Sequence, residues 1–138
     1  MNVFVDANVI INVLNKEYPA FEHSARFLSL AQDKRFTFFT SSLSIAICWF
    51  FAEKKSGRSL ANRKIEQLLL YFRITECGEE EVRKALADKR ADDMEDAIQV
   101  YSALRNSCSH LVTNNLNDFH FSSLEVLEPL SFLEQHGK

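Results

Sequence analysis

The sequence predicts an α/β fold built around a mainly parallel β-sheet. Short β-branched or aromatic runs alternate with longer segments whose apolar residues recur every three or four positions, which is typical of that class. The predicted strands are apolar on both faces, as expected for a sheet that helices cover on each side. The 138 residues include only 3 Gly and 2 Pro, too few for the tight hairpins of an all-β sandwich.

Runs of β-branched and aromatic residues predict five strands, and helical periodicity predicts seven helices. The strands cover Val3–Val5, Phe36–Thr40, Phe72–Thr75, His110–Thr113 and Leu124–Leu127. The helices cover Ala7–Leu14, Phe21–Ala31, Leu43–Lys55, Leu60–Tyr71, Gly78–Leu86, Met94–Leu104 and Leu130–Gln135. The chain contains no internal repeat and no composition shift that marks a boundary. We therefore expect residues 1–138 to form a single domain.

Composition and charge exclude several classes of protein. The chain has 16 Lys and Arg against 19 Asp and Glu, a net charge of −3, which disfavours nucleic-acid binding by charge alone. Cys48, Cys77 and Cys108 are odd in number and form no CxxC pair, so neither a disulfide framework nor a thiolate zinc site is indicated. No secretory signal is visible, and the longest apolar run, Ile45–Ala52, is far shorter than the roughly 18 residues of a membrane span. We expect a soluble, cytoplasmic protein.

Polar side chains follow the first and the fourth predicted strands. Asp6 comes directly after the first strand, with Asn8 two residues later, and Asn114, Asn115 and Asp118 follow the fourth. In open parallel sheets, ligands bind outside the carboxyl ends of the strands, so these residues are candidates for a site. Asp6 is also a suitable N-cap for the helix beside it, and both interpretations remain open.

A second acidic group begins the helix that leads to the fourth strand. It consists of Asp92, Asp93, Glu95 and Asp96. Carboxylates in a first helical turn stabilise the helix dipole, which is a purely structural explanation for them. Asp96, however, adjoins Ala97 on the predicted apolar face and so lies at the edge of the buried surface. Asp93, three residues earlier, shares its side of the helix.

Bringing Asp6, Asp96 and Asp118 together would concentrate negative charge, which costs free energy unless a cation neutralises it. Oxygen ligands without a His or Cys cluster favour Mg²⁺ or Mn²⁺ over zinc. The four histidines are scattered, with His23 and His136 isolated, and their spacing predicts no metal site. A hard-cation site polarises a phosphoryl oxygen and lowers the pKa of bound water, as phosphodiester hydrolysis requires.

Three segments resemble motifs of the PIN domain family: Val3–Asn8, Asp93–Gln99 and Leu111–Phe119. The resemblance spans nearly the whole chain and implies a three-layer α/β/α sandwich around a parallel sheet of four or five strands. It also implies a Mg²⁺- or Mn²⁺-dependent endoribonuclease similar to the VapC toxins of type II toxin–antitoxin pairs. The implied partners are an RNA substrate, an antitoxin protein and a second copy of the chain, as a homodimer.

The resemblance assigns roles to individual residues. Asp6 and Asp96 match metal-binding carboxylates, and Asp118 joins them in the predicted catalytic set. The predicted supporting residues are Asn8, Asp93, Thr113 and Asn115. Asn115 stands where Asp is common in the family, which lowers the formal charge of the site.

The chain departs from the family pattern at the second carboxylate. The family has Glu or Asp early in the helix after the second strand, and here Ile47 stands at that position. Glu53 lies six residues later, about 9 Å along a helix axis, and is a poor substitute. The vacancy favours an alternative function, a catalytically weakened PIN-like module that acts by binding RNA or protein. An aspartyl-phosphate phosphatase with Asp6 as nucleophile is a third possibility, disfavoured because Asn8 replaces the Asp such enzymes carry.

Two surfaces flank the predicted site. Residues 54–64 include Lys54, Lys55 and Arg58 and no acidic residue, which fits either an RNA-backbone patch or a solvated connection between helices. The run Ile45–Ala52 is apolar all round a helix and should be buried on more than one side. Either the sheet and a neighbouring helix cover it, or it forms a surface for self-association or a partner.

Overall fold

The computed structural model of the chain describes all 138 residues and contains one five-stranded sheet. Its strands are β1 (Asn2–Val5), β2 (Thr37–Thr40), β3 (Phe72–Ile74), β4 (His110–Val112) and β5 (Glu125–Leu127). The strand order is β3-β2-β1-β4-β5, and every neighbouring pair is parallel. The chain leaves β1 towards β2 and β3 and later returns on the other side as β4 and β5. The strand order therefore switches direction between β1 and β4, where such sheets bind ligands.

Seven α-helices surround the sheet. They are α1 (Ala7–Leu14), α2 (Phe21–Ser29), α3 (Ser42–Ser56), α4 (Arg58–Leu68), α5 (Glu79–Ala87), α6 (Met94–Arg105) and α7 (Pro129–His136). All seven predicted helices and all five predicted strands are confirmed, with boundaries that differ by a few residues. A short 3-10 turn at Leu116–Phe119 was not predicted. None of the helices combines the length and the hydropathy that a membrane-spanning segment requires.

The central strand β1 separates two hydrophobic cores. Val3 and Val5 are fully buried in one core with Phe38, while Phe4 lies in the other with Leu111. The alternation follows from the pleat of a strand, which points successive side chains to opposite faces. Helices α1, α2, α3, α4 and α7 cover the first core, and α5 and α6 cover the second. The predicted three-layer α/β/α sandwich is thereby confirmed.

Side-chain caps fix the beginnings of the two helices that flank the switch point. The Ser41 hydroxyl accepts a hydrogen bond from the Ser44 amide at 3.0 Å and donates one to Gln99 Oε1 at 2.6 Å, so the start of α3 is tied to α6. At the start of α6, the Asp93 carboxylate accepts from the backbone amides of Glu95 at 2.7 Å and Asp96 at 3.3 Å. Both contacts satisfy amides that a helix N-terminus leaves unpaired.

The apolar run of α3, Ile45–Ala52, is only partly buried. Cys48 and Ala52 pack into the interior, where α3 contacts α1 and α4. Phe50 and Phe51 are 53% and 44% exposed. The prediction of burial therefore holds for one side of the helix, while its other side presents aromatic surface to solvent.

Candidate active site

Asp6 stands where β1 ends, beside the end of β4. Its amide donates to the Val112 carbonyl at 2.9 Å, and its carboxylate accepts from the Thr113 hydroxyl at 2.8 Å. Asp6 occupies the N-cap position of α1, but its side chain makes no capping hydrogen bond. The hydroxyl of Thr113, directly after β4, therefore helps to orient the carboxylate.

Asn8 and the polar residues after β4 hold the two strand ends together. Thr113 Oγ1 accepts from Asn8 Nδ2 at 3.4 Å and from the Asn115 amide at 3.1 Å. The Asn114 amide donates to Asn8 Oδ1 at 3.3 Å. These bonds join the loop after β1 to the loop after β4, so the orientation of Asp6 depends on both segments.

A cavity of about 470 Å³ opens at these strand ends. Six of its lining residues are Asp or Glu, and none is Lys, Arg or His. The lining residues are Asp6, Ala7, Asn8, Ile11, Asn12, Glu17, Ile47, Phe51, Asp93, Glu95, Asp96, Asn115 and Asp118. The structure thus brings together Asp6, Asp96 and Asp118, which the sequence predicted to be neighbours. Thr113 lies behind the cavity wall, fully buried.

The cavity disfavours ionisation of its two central carboxylates. Burial raises the pKa of Asp6 to about 6, although the hydrogen bond from Thr113 opposes the rise. Burial also raises the pKa of Asp96 to about 7, and the negative charges of Asp93, Asp118 and Asp6 raise it further. No lysine, arginine or histidine lines the cavity to relieve this repulsion. The negative charge of the ionised carboxylates is therefore not neutralised by the protein, and the cavity would attract a cation.

The side-chain metal ligands that the lining offers are all oxygen atoms, which suits a hard divalent cation. No three His, Cys, Asp or Glu side chains converge closely enough to form a ready-made metal cluster. Mg²⁺ commonly keeps several water ligands and binds through only one or two carboxylates, so a sparse set is compatible with it. The side chains present are carboxylates and amides, the ligand types that Mg²⁺ and Mn²⁺ prefer.

Ile47 lies in the wall of the cavity, at the position where a second family carboxylate was expected. Glu53, further along α3, does not line the cavity. Glu17, which the sequence did not single out, does line it, and its carboxylate accepts from Asn12 Nδ2 at 3.0 Å. Asn12 lies one helical turn after Asn8, and that spacing is the signal that could have indicated a polar face of α1 directed at the site.

The predicted basic patch lies outside the cavity lining. Lys54 and Arg58 are exposed, and Lys54 Nζ lies 5.8 Å from the centre of the Phe50 ring. Lys64 Nζ donates to the carbonyl of Leu14, the last residue of α1, at 2.6 Å. Lys55 Nζ donates to the carbonyl of Asn15, the C-cap of that helix. These two ammonium groups complement the negative end of the α1 dipole, which gives them a structural role the sequence pattern did not indicate.

The remaining nucleophiles and imidazoles lie elsewhere. Burial raises the pKa of both Cys48 and Cys108 to about 12, so neither forms a thiolate near neutral pH. His136, isolated in the sequence, packs against His110 with ring centres 5.1 Å apart, and Glu125 Oε2 lies 2.9 Å from His110 Nε2. None of these residues lines the acidic cavity.

The PIN domain family model matches residues 2–117 of the chain. The chain belongs to the PIN domain family. The resemblance predicted from the three motifs is thereby confirmed. Ribonuclease VapC1 of Aquifex aeolicus is a relative of similar length, 28% identical over 137 residues, which are 96% of this chain and 94% of that protein.

Solved structures share this PIN fold. VapBC2 from Rickettsia felis, crystallised with a DNA fragment from its promoter, matches with a TM-score of 0.67 and 18% identity over 93% of this chain and 98% of that chain. PAE2754 from Pyrobaculum aerophilum matches with a TM-score of 0.64 and 15% identity over 100% of this chain and 91% of that chain. At these identities the matches establish the fold alone.

Proposed function

We propose that this PIN-domain protein is a divalent-metal-dependent endoribonuclease that hydrolyses RNA phosphodiester bonds and acts as the toxin of a type II toxin–antitoxin pair. The observation that carries the proposal is the acidic cavity, in which Asp6 and Asp96 meet from distant parts of the chain. The relationship to Ribonuclease VapC1 supports the reaction class. The fold shared with VapBC2 supports an antitoxin partner.

In the proposed site, Asp6 and Asp96 would hold Mg²⁺ or Mn²⁺, and Asp118 and Asn115 would contribute directly or through water. When bound, the cation supplies Lewis-acid polarisation of a phosphoryl oxygen and lowers the pKa of a bound water. PIN-domain ribonucleases generally depend on divalent metals, which supports this assignment.

The residues around these carboxylates orient them. Thr113 donates to Asp6 Oδ2 and thereby holds that carboxylate oxygen beside the end of β4. Asn8 and Asn115 both donate to the same hydroxyl, which fixes its position. Asp93 caps α6 and so fixes the first turn of the helix that carries Asp96. We assign Asn8, Asp93, Thr113 and Asn115 supporting roles on this basis.

Cleavage of a mixed structured RNA with added Mn²⁺ or Mg²⁺ tests the proposal. Asp6→Asn and Asp96→Asn should each reduce the rate at least about 100-fold, because each variant loses a carboxylate that would hold the cation, and the cation stabilises the developing charge. Glu66→Gln serves as the control, because Glu66 is an exposed acid outside the cavity lining. Full activity in either aspartate variant would contradict the assignment of the site.

The second candidate function is a catalytically weakened module that acts by binding RNA or protein. Ile47 favours it, because an apolar side chain stands in the cavity wall where a carboxylate was expected. Absence of cleavage by a folded, antitoxin-free protein at high enzyme and metal concentrations would support this function over the nuclease.

We also propose that Lys54 and Arg58, with Lys55, contact the RNA backbone. Ile47, Phe51 and Lys54 recur at four- and three-residue spacing on α3, so Lys54 continues the helix side that borders the cavity. Lys54→Glu with Arg58→Glu should weaken RNA binding and lower the slope of log affinity against log salt by about 2, roughly one per phosphate contact.

A matched control for the charge reversals is Lys34→Glu. Lys34 is exposed and precedes β2, so it lies at the opposite end of the strands from the cavity. RNA affinity that falls equally in the Lys34 variant would show a nonspecific charge effect. Unchanged affinity in the double variant would remove the patch from the proposal.

The proposed state of the protein in the cytoplasm is a homodimer that also binds an antitoxin. The exposed rings of Phe50 and Phe51 support a partner surface, because aromatic side chains are enriched in protein interfaces. Sedimentation velocity at tens of micromolar tests the dimer, and a purely monomeric boundary would contradict it.

A further inference from the structure

We infer that Glu17 supplies a carboxylate to the cation site and thereby compensates for the acid that is missing at Ile47. The inference rests on the proposed function. Glu17 lies beyond the end of α1, yet its side chain lines the same cavity as Asp6 and Asp96. Ile47 lines that cavity as well. A different segment of the chain therefore brings a carboxylate to a site where the family position is apolar.

Two hydrogen bonds to one residue hold Glu17 in place. Asn12 Nδ2 donates to Glu17 Oε1 at 3.0 Å, and the Glu17 amide donates to the Asn12 carbonyl at 2.9 Å. No lysine, arginine or histidine forms an ion pair with the Glu17 carboxylate. A neutral amide thus orients the carboxylate while leaving its charge available to a cation.

Three neighbours orient the side-chain amide of Asn12. Its Oδ1 accepts from Asn114 Nδ2 at 2.6 Å and from the Ser24 hydroxyl at 3.3 Å, which leaves its Nδ2 to donate to Glu17. Asn114 follows β4, and its backbone amide donates to Asn8 Oδ1, two residues after Asp6. One hydrogen-bonded network therefore connects Glu17 to the strand ends that position Asp6.

Glu17 acts on a hydrated cation rather than completing a dry cluster. No three acidic side chains converge as a closed ligand set, and Mg²⁺ retains several water ligands in sites of this kind. Groups in the outer shell of a metal typically change its affinity by roughly 10- to 100-fold when they are removed. A carboxylate that faces the hydration water belongs to this class.

The test is Mn²⁺ binding, followed by the electron paramagnetic resonance signal of free Mn²⁺, with no RNA present. Glu17→Gln should weaken binding roughly tenfold. Glu22→Gln is the matched control, because Glu22 is a nearby exposed acid that does not line the cavity. Adding the missing acid, as Ile47→Glu in the Glu17→Gln background, should restore affinity.

The outcomes distinguish two roles for Glu17. Its carboxylate either contributes to cation binding or only anchors the loop after α1 through its hydrogen bonds with Asn12, a role called loop anchoring below. Equal affinity in the Glu17 and Glu22 variants overturns the inference, while the proposed nuclease stands if Asp96→Asn still abolishes binding. A loss in Glu17→Gln that Ile47→Glu does not restore, together with a lower metal-free melting temperature, assigns Glu17 to loop anchoring and also overturns it. Absence of Mn²⁺ binding by the wild type overturns both the inference and the proposed metal dependence.

Discussion

Asp96 illustrates how a site can reduce the stability of the protein that carries it. Its pKa of about 7 in the folded state lies above the ordinary value of 3.8, mainly because of burial. The folded state therefore binds the proton more tightly than the unfolded state does. As the pH rises from about 4 to about 7, ionisation penalises the folded state increasingly, and stability falls.

Asp96→Asn should remove this penalty. At pH 8 without metal, we expect the variant to be more stable than the wild type by about 1 kcal/mol, a modest gain because solvent screens the half-buried side chain. The gain should shrink at pH 4, where the wild-type carboxyl is protonated in the folded state. Urea unfolding in a chelator at both pH values measures it, and a less stable variant at pH 8 would contradict the electrostatic account.

His110 should produce the opposite dependence on pH. Burial lowers its pKa, and the neighbouring His136 and the N-terminal ammonium group lower it too, although Glu125 raises it. Because the folded-state pKa lies below the unfolded one, stability is lost as the pH falls below about 6.5. His110→Gln should reduce the drop in melting temperature between pH 7 and pH 5. His23→Gln, at an exposed position, should leave that drop unchanged.

At the scale of elements, the N-terminus of α3 depends on Ser41. Its hydroxyl caps the helix and also satisfies the buried amide oxygen of Gln99. Ser41→Ala should destabilise the protein by about 1–2 kcal/mol, from the lost cap and the unsatisfied Gln99 oxygen. The neighbouring Ser42→Ala should cost much less, because Ser42 is exposed and is not the cap. Urea unfolding of both variants makes the comparison.

Elements were predictable because their signals are local. Runs of β-branched and aromatic residues marked every strand, and helical periodicity placed the start of α3 within one residue of its position in the structure. Lys55 and Lys64 show the limit of such signals. Their sequence indicated a basic patch, whereas in the fold both donate to the C-terminal end of α1, an element that lies far from them in the chain.

The site likewise contains residues whose positions could be predicted from the sequence and one whose position could not. Asp6 and Asp118 could be expected to meet, because parallel strands place their carboxyl ends at one edge of the sheet. Asp96 could be expected at the same edge, because the helix that leads to β4 begins there. The position of Glu17 could not, because it depends on the orientation of one side chain, Asn12, that a residue after β4 determines. Tertiary hydrogen bonds of this kind leave no periodic pattern in the sequence.

At the scale of the whole molecule, α7 closes one face of the sandwich through Phe132. This side chain is fully buried, with its ring 5.2 Å from that of Phe27 and 5.5 Å from that of Phe36. Phe132→Ala should destabilise the protein by about 3–5 kcal/mol, from lost burial and the cavity left behind. Leu130→Ala, two residues earlier on α7 and 38% exposed, should have a much smaller effect in the same denaturant titration.

The order of the strands also governs when the molecule becomes competent. β1 leaves the ribosome first, yet its central place in the sheet is complete only when β4 arrives, and the bond from Thr113 to Asp6 spans 107 residues. Until most of the polypeptide has emerged, the nascent chain holds its acidic residues on unconnected segments. A nascent chain therefore cannot assemble the proposed site before the segment that follows β4 has been synthesised.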